Sequence, residues 1–273
     1  MENYCKYWSS ATPGLFIILV NQNISDLKIA KQVVNVVNNS IDKIIQMNFD
    51  GDAPKNRCFI SVIGYNHNVK ELCSGWLKDL DANPLRYETL KKKTPDGAGG
   101  IIEVEIKQPV WVEPITQDGA TNMLGAFQLA KNLAKKWIED NSCAPAPVII
   151  NISDGMPFYE GKDTRICMQE TVSLAKEIMN FSTKDGNVLI FNACYLESNF
   201  KEDIFSFNIE SFICNISSYI PLGMSEFVNQ NCRDCGLNSN FTKGYICNDN
   251  INNLNVFIRA VIDEIFSRWW RGV

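Results

Sequence analysis

A single histidine, His67, is present in 273 residues, and its isolation removes much chemistry. Any Ser-His-Asp or Cys-His arrangement must use that one imidazole, which stands in the turn-like run Asn66-His67-Asn68 without a Gly-X-Ser-X-Gly elbow anywhere. The glycine-rich run at residues 97–100 lacks the Gly-Lys-Ser/Thr ending of a phosphate loop. No apolar run reaches bilayer length: Leu15 to Val20 is continuous but short, against the roughly 20 residues a spanning helix needs. Excess positive charge is missing too, with 26 Lys and Arg against 31 Asp and Glu and a net charge of -5. The basic run Lys91-Lys92-Lys93 lies beside Thr94-Pro95-Asp96-Gly97 and reads as a solvated loop, so neither nucleic acid nor an anionic membrane is expected as a partner. A secretory signal is not expected either, because the Leu15–Val20 run lacks a small-residue cleavage site and leads straight into polar residues. The ten cysteines are scattered, many inside apolar segments such as FNACYL. Buried, reduced thiols are used in this way, and a cytoplasmic location is the expectation.

What is present is a globular composition, with 45% hydrophobic residues and 15 Phe, enough for a sizeable core. A chain of 273 residues sits near the size of about 250 to 300 residues at which single cores stop growing, so one domain over residues 1–273 is expected. Leu15–Val20 reads as a parallel strand covered on both faces, because its apolar positions are continuous rather than alternating. Ile29, Val33, Val36, Val37, Ile41, Ile44 and Ile45 then recur at helical spacing, with Ser25 where an N-cap would stand. Cys58–Tyr65 and Pro147–Ser153 read as further strands, Asn187–Cys194 as another, and Val69–Trp76 as a hairpin partner. Residues 79–100 read as an exposed excursion, and 101–112, with its Pro109, as an edge strand. Helices are expected at about Thr121–Ile138 and Thr164–Phe181, and at the chain's end, where Leu254, Phe257, Val261, Ile265 and Trp269 keep the period. Strands alternating with helices predict an α/β, Rossmann-like three-layer domain with a mostly parallel sheet. Its core spans about 14–266, and an insertion-like segment of short helices and loops covers about 195–240.

Three polar corners follow buried strands or open helices: Asn21-Gln22-Asn23-Ile24-Ser25, Gly119-Ala120-Thr121-Asn122 and Ser153-Asp154-Gly155. In order and spacing they resemble the von Willebrand factor A (vWA) domain, most nearly its cytosolic bacterial members. That family carries a metal-ion-dependent adhesion site (MIDAS) of Asp-X-Ser-X-Ser, a later Thr and an Asp. The resemblance implies a vWA fold with one antiparallel edge strand, and a partner-binding face made by Asn21, Asn23, Ser25, Thr121 and Asp154. It also implies a protein partner, and a non-enzymatic adaptor role in a multi-protein bacterial system such as a stress-response or defence operon. Ser25, Thr121 and Asp154 match the family's metal ligands, whereas Asn21 and Asn23 replace its first Asp and first Ser. Magnesium wants hard oxygens and carboxylate charge. An Asn amide brings an oxygen without the charge, which predicts weak magnesium binding or none.

Plainer readings stand beside this one. Ser25 and Thr121 can each be an N-cap, and Asp154-Gly155 a turn pair. Cys232-X-X-Cys235 with Cys247 and Cys214 offers thiols for zinc, although unmetallated loop thiols are the simpler reading. A hydrolase in the strand-end crevice would need Asp154 joined to Cys194 or His67. An inert-site scaffold or dimer would use the C-terminal helix and Trp269-Trp270-Arg271.

Overall fold

The structure is a computed structural model that describes residues 8–95, 97, 100–159, 161–196 and 204–267. In chain order its first half runs β1 (Gly14–Asn21), α1 (Leu27–Met47), β2 (Phe49–Asp50), β3 (Ala53–Pro54), β4 (Cys58–Tyr65), β5 (Val69–Trp76), α2 (Leu77–Ala82), β6 (Arg86–Pro95) and β7 (Ile101–Val110). The second half runs α3 (Met123–Asp140), β8 (Val148–Ser153), α4 (Thr164–Met179), β9 (Ser182–Thr183), β10 (Gly186–Asn187), β11 (Leu189–Tyr195), α5 (Ile204–Asn215), α6 (Leu222–Asp234), β12 (Tyr245–Asn248) and α7 (Ile251–Ser267). The central sheet has the order β12-β11-β8-β1-β4-β5. Every neighbouring pair in it is parallel except β4 with β5. β5 is the antiparallel edge strand.

β1 lies inside the sheet, paired with β4 on one side and β8 on the other, and all eight of its residues are buried. Because strand side chains alternate, its apolar run divides between two cores. Phe16, Ile18 and Val20 pack with α1, α6 and α7 through residues such as Val37, Val228 and Phe257. Leu15, Ile17 and Leu19 pack with α3, α4 and α5 through Phe127, Ile178 and Ile213. The result is three layers, with the carboxyl ends of the parallel strands at one edge.

Residues 101–112 do not form an edge of this sheet. β7 pairs with β6 alone, as a separate antiparallel ribbon, and the expected excursion of residues 79–100 holds most of α2 and the whole of β6. Long-range pairing decided this: Lys91 faces Glu105 and Lys93 faces Glu103 on one side of the ribbon, while Leu90 faces Ile106 on the other. The ribbon's root is anchored by Asn38 in α1, which is 2% exposed. Its Oδ1 accepts from the backbone N–H of Trp111 and of Val112, each at 3.0 Å, and its Nδ2 donates to Val112 O at 2.9 Å. Removing any of these partners would strand a buried polar group. The clamp sets where residues 113–121 begin their path across the strand ends.

Two expected caps are displaced by one residue. α1 is capped by Asp26, not Ser25: its extended backbone lets the carboxylate accept from Lys28 N at 2.6 Å and Ile29 N at 3.4 Å. α3 is capped by Asn122, not Thr121, with Asn122 Oδ1 accepting from Gly125 N at 2.9 Å. Residues 195–240 do contain helices, α5 and α6. Trp269, Trp270 and Arg271 lie outside the described residues.

Candidate functional site

Three segments converge at the carboxyl edge of the sheet, where open α/β sheets bind ligands. β1 delivers Asn21 and Asn23, the segment before α3 delivers Thr121, and β8 delivers Asp154. Backbone bonds lock the segments together. Thr121 N donates to Phe158 O at 2.6 Å and Phe158 N to Thr121 O at 3.1 Å, while Asn122 N donates to Asn66 O at 2.8 Å and Gln117 N to Ile24 O at 3.1 Å. Asn66 Nδ2 adds a bond to Gln117 Oε1 at 2.7 Å.

Asn21 is 1% exposed and shapes the loop from below. Its Oδ1 accepts from Asn23 N at 2.9 Å, an Asx turn, and its Nδ2 points to the Tyr195 hydroxyl at 3.4 Å. Asn23 is the cross-link. Its Nδ2 donates to Gly119 O at 2.9 Å and to Thr121 Oγ1 at 3.0 Å. A backbone carbonyl can only accept, so the amide's orientation is fixed by chemistry. Its carbonyl oxygen, Asn23 Oδ1, is buried without a hydrogen-bond partner among the described residues. Thr121 is 2% exposed, and Asp154 Oδ1 accepts from Met156 N at 3.1 Å.

The turn after β8 depends on glycine. Gly155 has φ +82°, and a Cβ there would lie 2.5 Å from Ile209 Cγ2 and 2.9 Å from Cys194 Sγ. Both the backbone conformation and the close approach exclude a side chain. Beneath this turn a buried polar chain crosses the sheet: Tyr65 Oη donates to Asn151 Oδ1 at 2.8 Å, Asn151 Nδ2 to Asn192 Oδ1 at 2.9 Å, and Asn192 Nδ2 to Ser217 Oγ at 2.8 Å. Burial, with the Asp154 charge as a further cause, pushes the Tyr65 hydroxyl well up. A hydrogen bond with Cys247, directly opposite on β12, and then burial push the Cys194 thiol well up. Both groups are held protonated and support the site from behind.

A pocket of about 180 Å³ opens between these parts, lined by Asn23, Thr121 and Asp154 and by Met156, Phe158, Leu196 and Ile209. Three of the five expected face residues therefore meet in one pocket. Asn21 lies under it, and Ser25, exposed on the way into α1, does not line it. Neither Cys194 nor the exposed His67 lines it. The apolar members carry no readable sequence signal, because Met156 and Phe158 sit in the irregular segment between β8 and α4. Phe158 arrives only through its bridge to Thr121.

This donor set does not fit a magnesium ion as it stands. An ion on Thr121 Oγ1 would face the positive hydrogens of the Asn23 amide that already points there. Asn21 Oδ1 is engaged by Asn23 N, and Asp154 is the one carboxylate among the described lining residues. The thiols considered for zinc are dispersed: Cys232 is buried in α6, Cys235 is exposed at its end, and Cys247 lies beside Cys194. Among the described residues no three His, Cys, Asp or Glu side chains gather as a metal site. Among those residues, too, no helix is long and apolar enough to cross a membrane.

No family model and no curated protein matches this chain. Among solved structures it is similar to the pilus adhesin SpaC from Lactobacillus rhamnosus GG in its open conformation, at 12% identity and a TM-score of 0.56. That match covers 94% of this chain and 30% of the adhesin, so the chain spans less than a third of the adhesin's length. Similarity also extends to proximal thread matrix protein 1 from the mussel byssus with a zinc-occupied MIDAS motif, at 12% identity and a TM-score of 0.44, over 92% of this chain and 45% of that one. The conserved hypothetical protein BatB from Bacteroides thetaiotaomicron is matched at 12% identity and a TM-score of 0.42, over 95% of this chain and 100% of that one. At 12% identity the likeness to the adhesin is one of fold.

Proposed function

From a chain whose fold is that of the von Willebrand factor A (vWA) domains, we propose a non-enzymatic interaction module that holds a partner protein at its strand-end face. The observation that carries this is the pocket itself. Asn23, Thr121 and Asp154 form a polar floor, locked by bonds between three chain segments, and Phe158, 48% exposed, stands at its rim. A rigid polar floor under an exposed aromatic is the anatomy of a small recognition site rather than of a reaction centre. The protonated thiol of Cys194, and a described lining that includes neither Cys194 nor His67, also favour binding over nucleophilic chemistry. SpaC is an adhesin by name, which supports a binding role for this architecture. The setting that the resemblance implies is an adaptor in a multi-protein bacterial system, of the stress-response or defence kind, inside the cytoplasm.

Recognition here works without a metal. The Asn23 amide joins Gly119 and Thr121 directly, so the cross-link that an ion would make between loops is made by hydrogen bonds. The test is selection of peptides from a random displayed library on the wild-type protein, with chelator present throughout. Binders that lose affinity for Asp154→Asn and Phe158→Ala support the reading. If every selected binder is indifferent to both substitutions, the face is not the contact surface.

A further inference from the structure

The ribbon of β6 and β7 stands apart from the strand-end face, and its surface is not that of a finished edge. Its ten residue pairs run without a shift in register, and as a sheet of two strands it leaves both outer edges free. Free edges of that length are normally blunted. The central sheet blunts its own: β12 is four residues long, and the pairing of β5 with β4 shifts register between Val62 and Ile63. β7 has neither device along residues 101–108, and Pro109 comes only at the root. Alternation then gives the ribbon two unlike faces. Leu90, Ile102, Val104 and Ile106 share one of them and are 39–48% exposed. Glu103, Glu105 and Lys107 stand on the other, all exposed. An isolated two-stranded hairpin is marginal in water, whereas three or more strands with a common apolar face are stable. Among the described residues no further strand of this chain joins the ribbon.

We infer that β7 pairs with β7 of a second copy of this chain, antiparallel about Ile106, to give a closed sheet in the order β6-β7-β7-β6. A second copy fits because the strand is complementary to itself. About that centre Glu105 of each copy lies opposite Lys107 of the other, twice by symmetry, and Ile106 meets Ile106. The same register keeps even-numbered residues with even, so the apolar faces of both ribbons fall on one side. Centring on Glu105 instead would set that carboxylate against its own copy. β6 is unsuited to the role, since an antiparallel self-pairing centred on Lys91-Lys92-Lys93 sets lysine against lysine. Two-fold symmetry therefore closes the assembly at a dimer, and the lysine run guards the edge that remains. The inference is independent of the strand-end reading and supplies it with two faces per particle.

The test is the oligomeric state of the whole chain, followed by sedimentation equilibrium from about 1 μM to about 1 mM. Wild type is expected to pass from monomer to dimer in that range and to go no further. Glu105→Lys and Lys107→Glu each turn both opposite-charge pairs into like-charge pairs at exposed positions. Each should weaken association about tenfold, with an unchanged circular dichroism spectrum. Mixed in equal amounts, the two variants should recover wild-type association, because every strand bearing two lysines then meets one bearing two glutamates. Asp154→Asn and Phe158→Ala should leave the dimer intact, which separates failure here from failure of the strand-end reading. A wild-type chain that stays monomeric up to about 1 mM overturns the inference and leaves the edge to a strand of another protein. A dimer indifferent to both charge reversals overturns it as well, and so does a mixture that recovers nothing.

Discussion

Exchanging Asn21 for aspartate and Asn23 for serine in one variant rebuilds the metal-ligand pattern, and the structure sets what it should do. Asn23→Ser removes the donations to Gly119 O and Thr121 Oγ1. Each such bond is worth about 0.5–1.5 kcal/mol net, so about 1–3 kcal/mol is lost from the link between the two loops. Asn21→Asp places a carboxylate where exposure is 1%. The backbone N–H of residue 23 and the Tyr195 hydroxyl can still bond to it, but no countercharge is present among the groups bonded to Asn21, and an uncompensated buried charge costs several kcal/mol. With about 3–5 kcal/mol for that charge, the double variant without metal should be less stable than wild type by about 4–8 kcal/mol, the sum of the two effects. With magnesium the logic reverses. A cation about 4 Å from a carboxylate gains about 4 kcal/mol per charge pair at an effective dielectric of 20, and an ion at a hundredfold excess over its Kd returns about 2.7 kcal/mol. Urea unfolding in magnesium and in chelator, read by tryptophan fluorescence, measures both. The expected outcome is a magnesium-dependent midpoint for the variant and an unchanged one for wild type. A wild-type midpoint that rises with magnesium as far as the variant's does would refute the amide-for-ion reasoning. A metal-free variant as stable as wild type would refute the energetics.

Other consequences follow from the same geometry. Gly155→Ala forces a Cβ onto Ile209 and Cys194 at a positive φ, and should destabilise the fold by about 2–4 kcal/mol in urea unfolding. Thiols supply a pH dependence whose sign is fixed. Cys58 and Cys194 are pushed well up, and burial, with Glu71 nearby, pushes Cys73 to about 12. Unfolded thiols ionise near 8.5 to 9 while the folded ones stay protonated, so the native state binds more protons. Stability should be full below about pH 8.5 and fall above it, by up to about 1.4 kcal/mol per pH unit for each such thiol. Urea midpoints across that range test this, Cys58→Ala should flatten the fall, and a level profile would count against it. Replacing residues 91–104 with a tight turn removes the ribbon's tip, whose strands pair only with each other. Thermal unfolding should stay within a few degrees of wild type, since an isolated two-stranded ribbon adds little stability; a collapse in Tm would show that the tip supports the sheet.

Much of the fold was legible because burial on two faces leaves a periodic trace. Leu15–Val20 had to be a covered strand, and the spacing from Ile29 to Ile45 had to be a helix with one buried face. Both follow from local pattern alone. The caps were misplaced by one residue, since Ser25 and Asp26 are both able to cap, and so are Thr121 and Asn122; backbone dihedrals chose between them. The partner of residues 101–110 was not legible. An alternating strand pairs equally well with a sheet edge or with its own hairpin, and the cross-strand match of Lys91 with Glu105 is visible only once a register exists.

The candidate site divides in the same way. Sequence alone determined that Asn21 and Asn23 stand where the vWA pattern has a carboxylate and a hydroxyl, and hence that the charge available to an ion is reduced. That is a property of side-chain chemistry and needs no coordinates. Tertiary structure alone decided that the Asn23 amide turns its nitrogen onto Gly119 and Thr121 and leaves its oxygen buried, that Ser25 faces solvent outside the pocket, and that Phe158 and Ile209 complete the wall. Those facts depend on groups about a hundred residues apart in the chain meeting at one edge of the sheet, and an amide's two ends are distinguished only by the partners that folding brings to them.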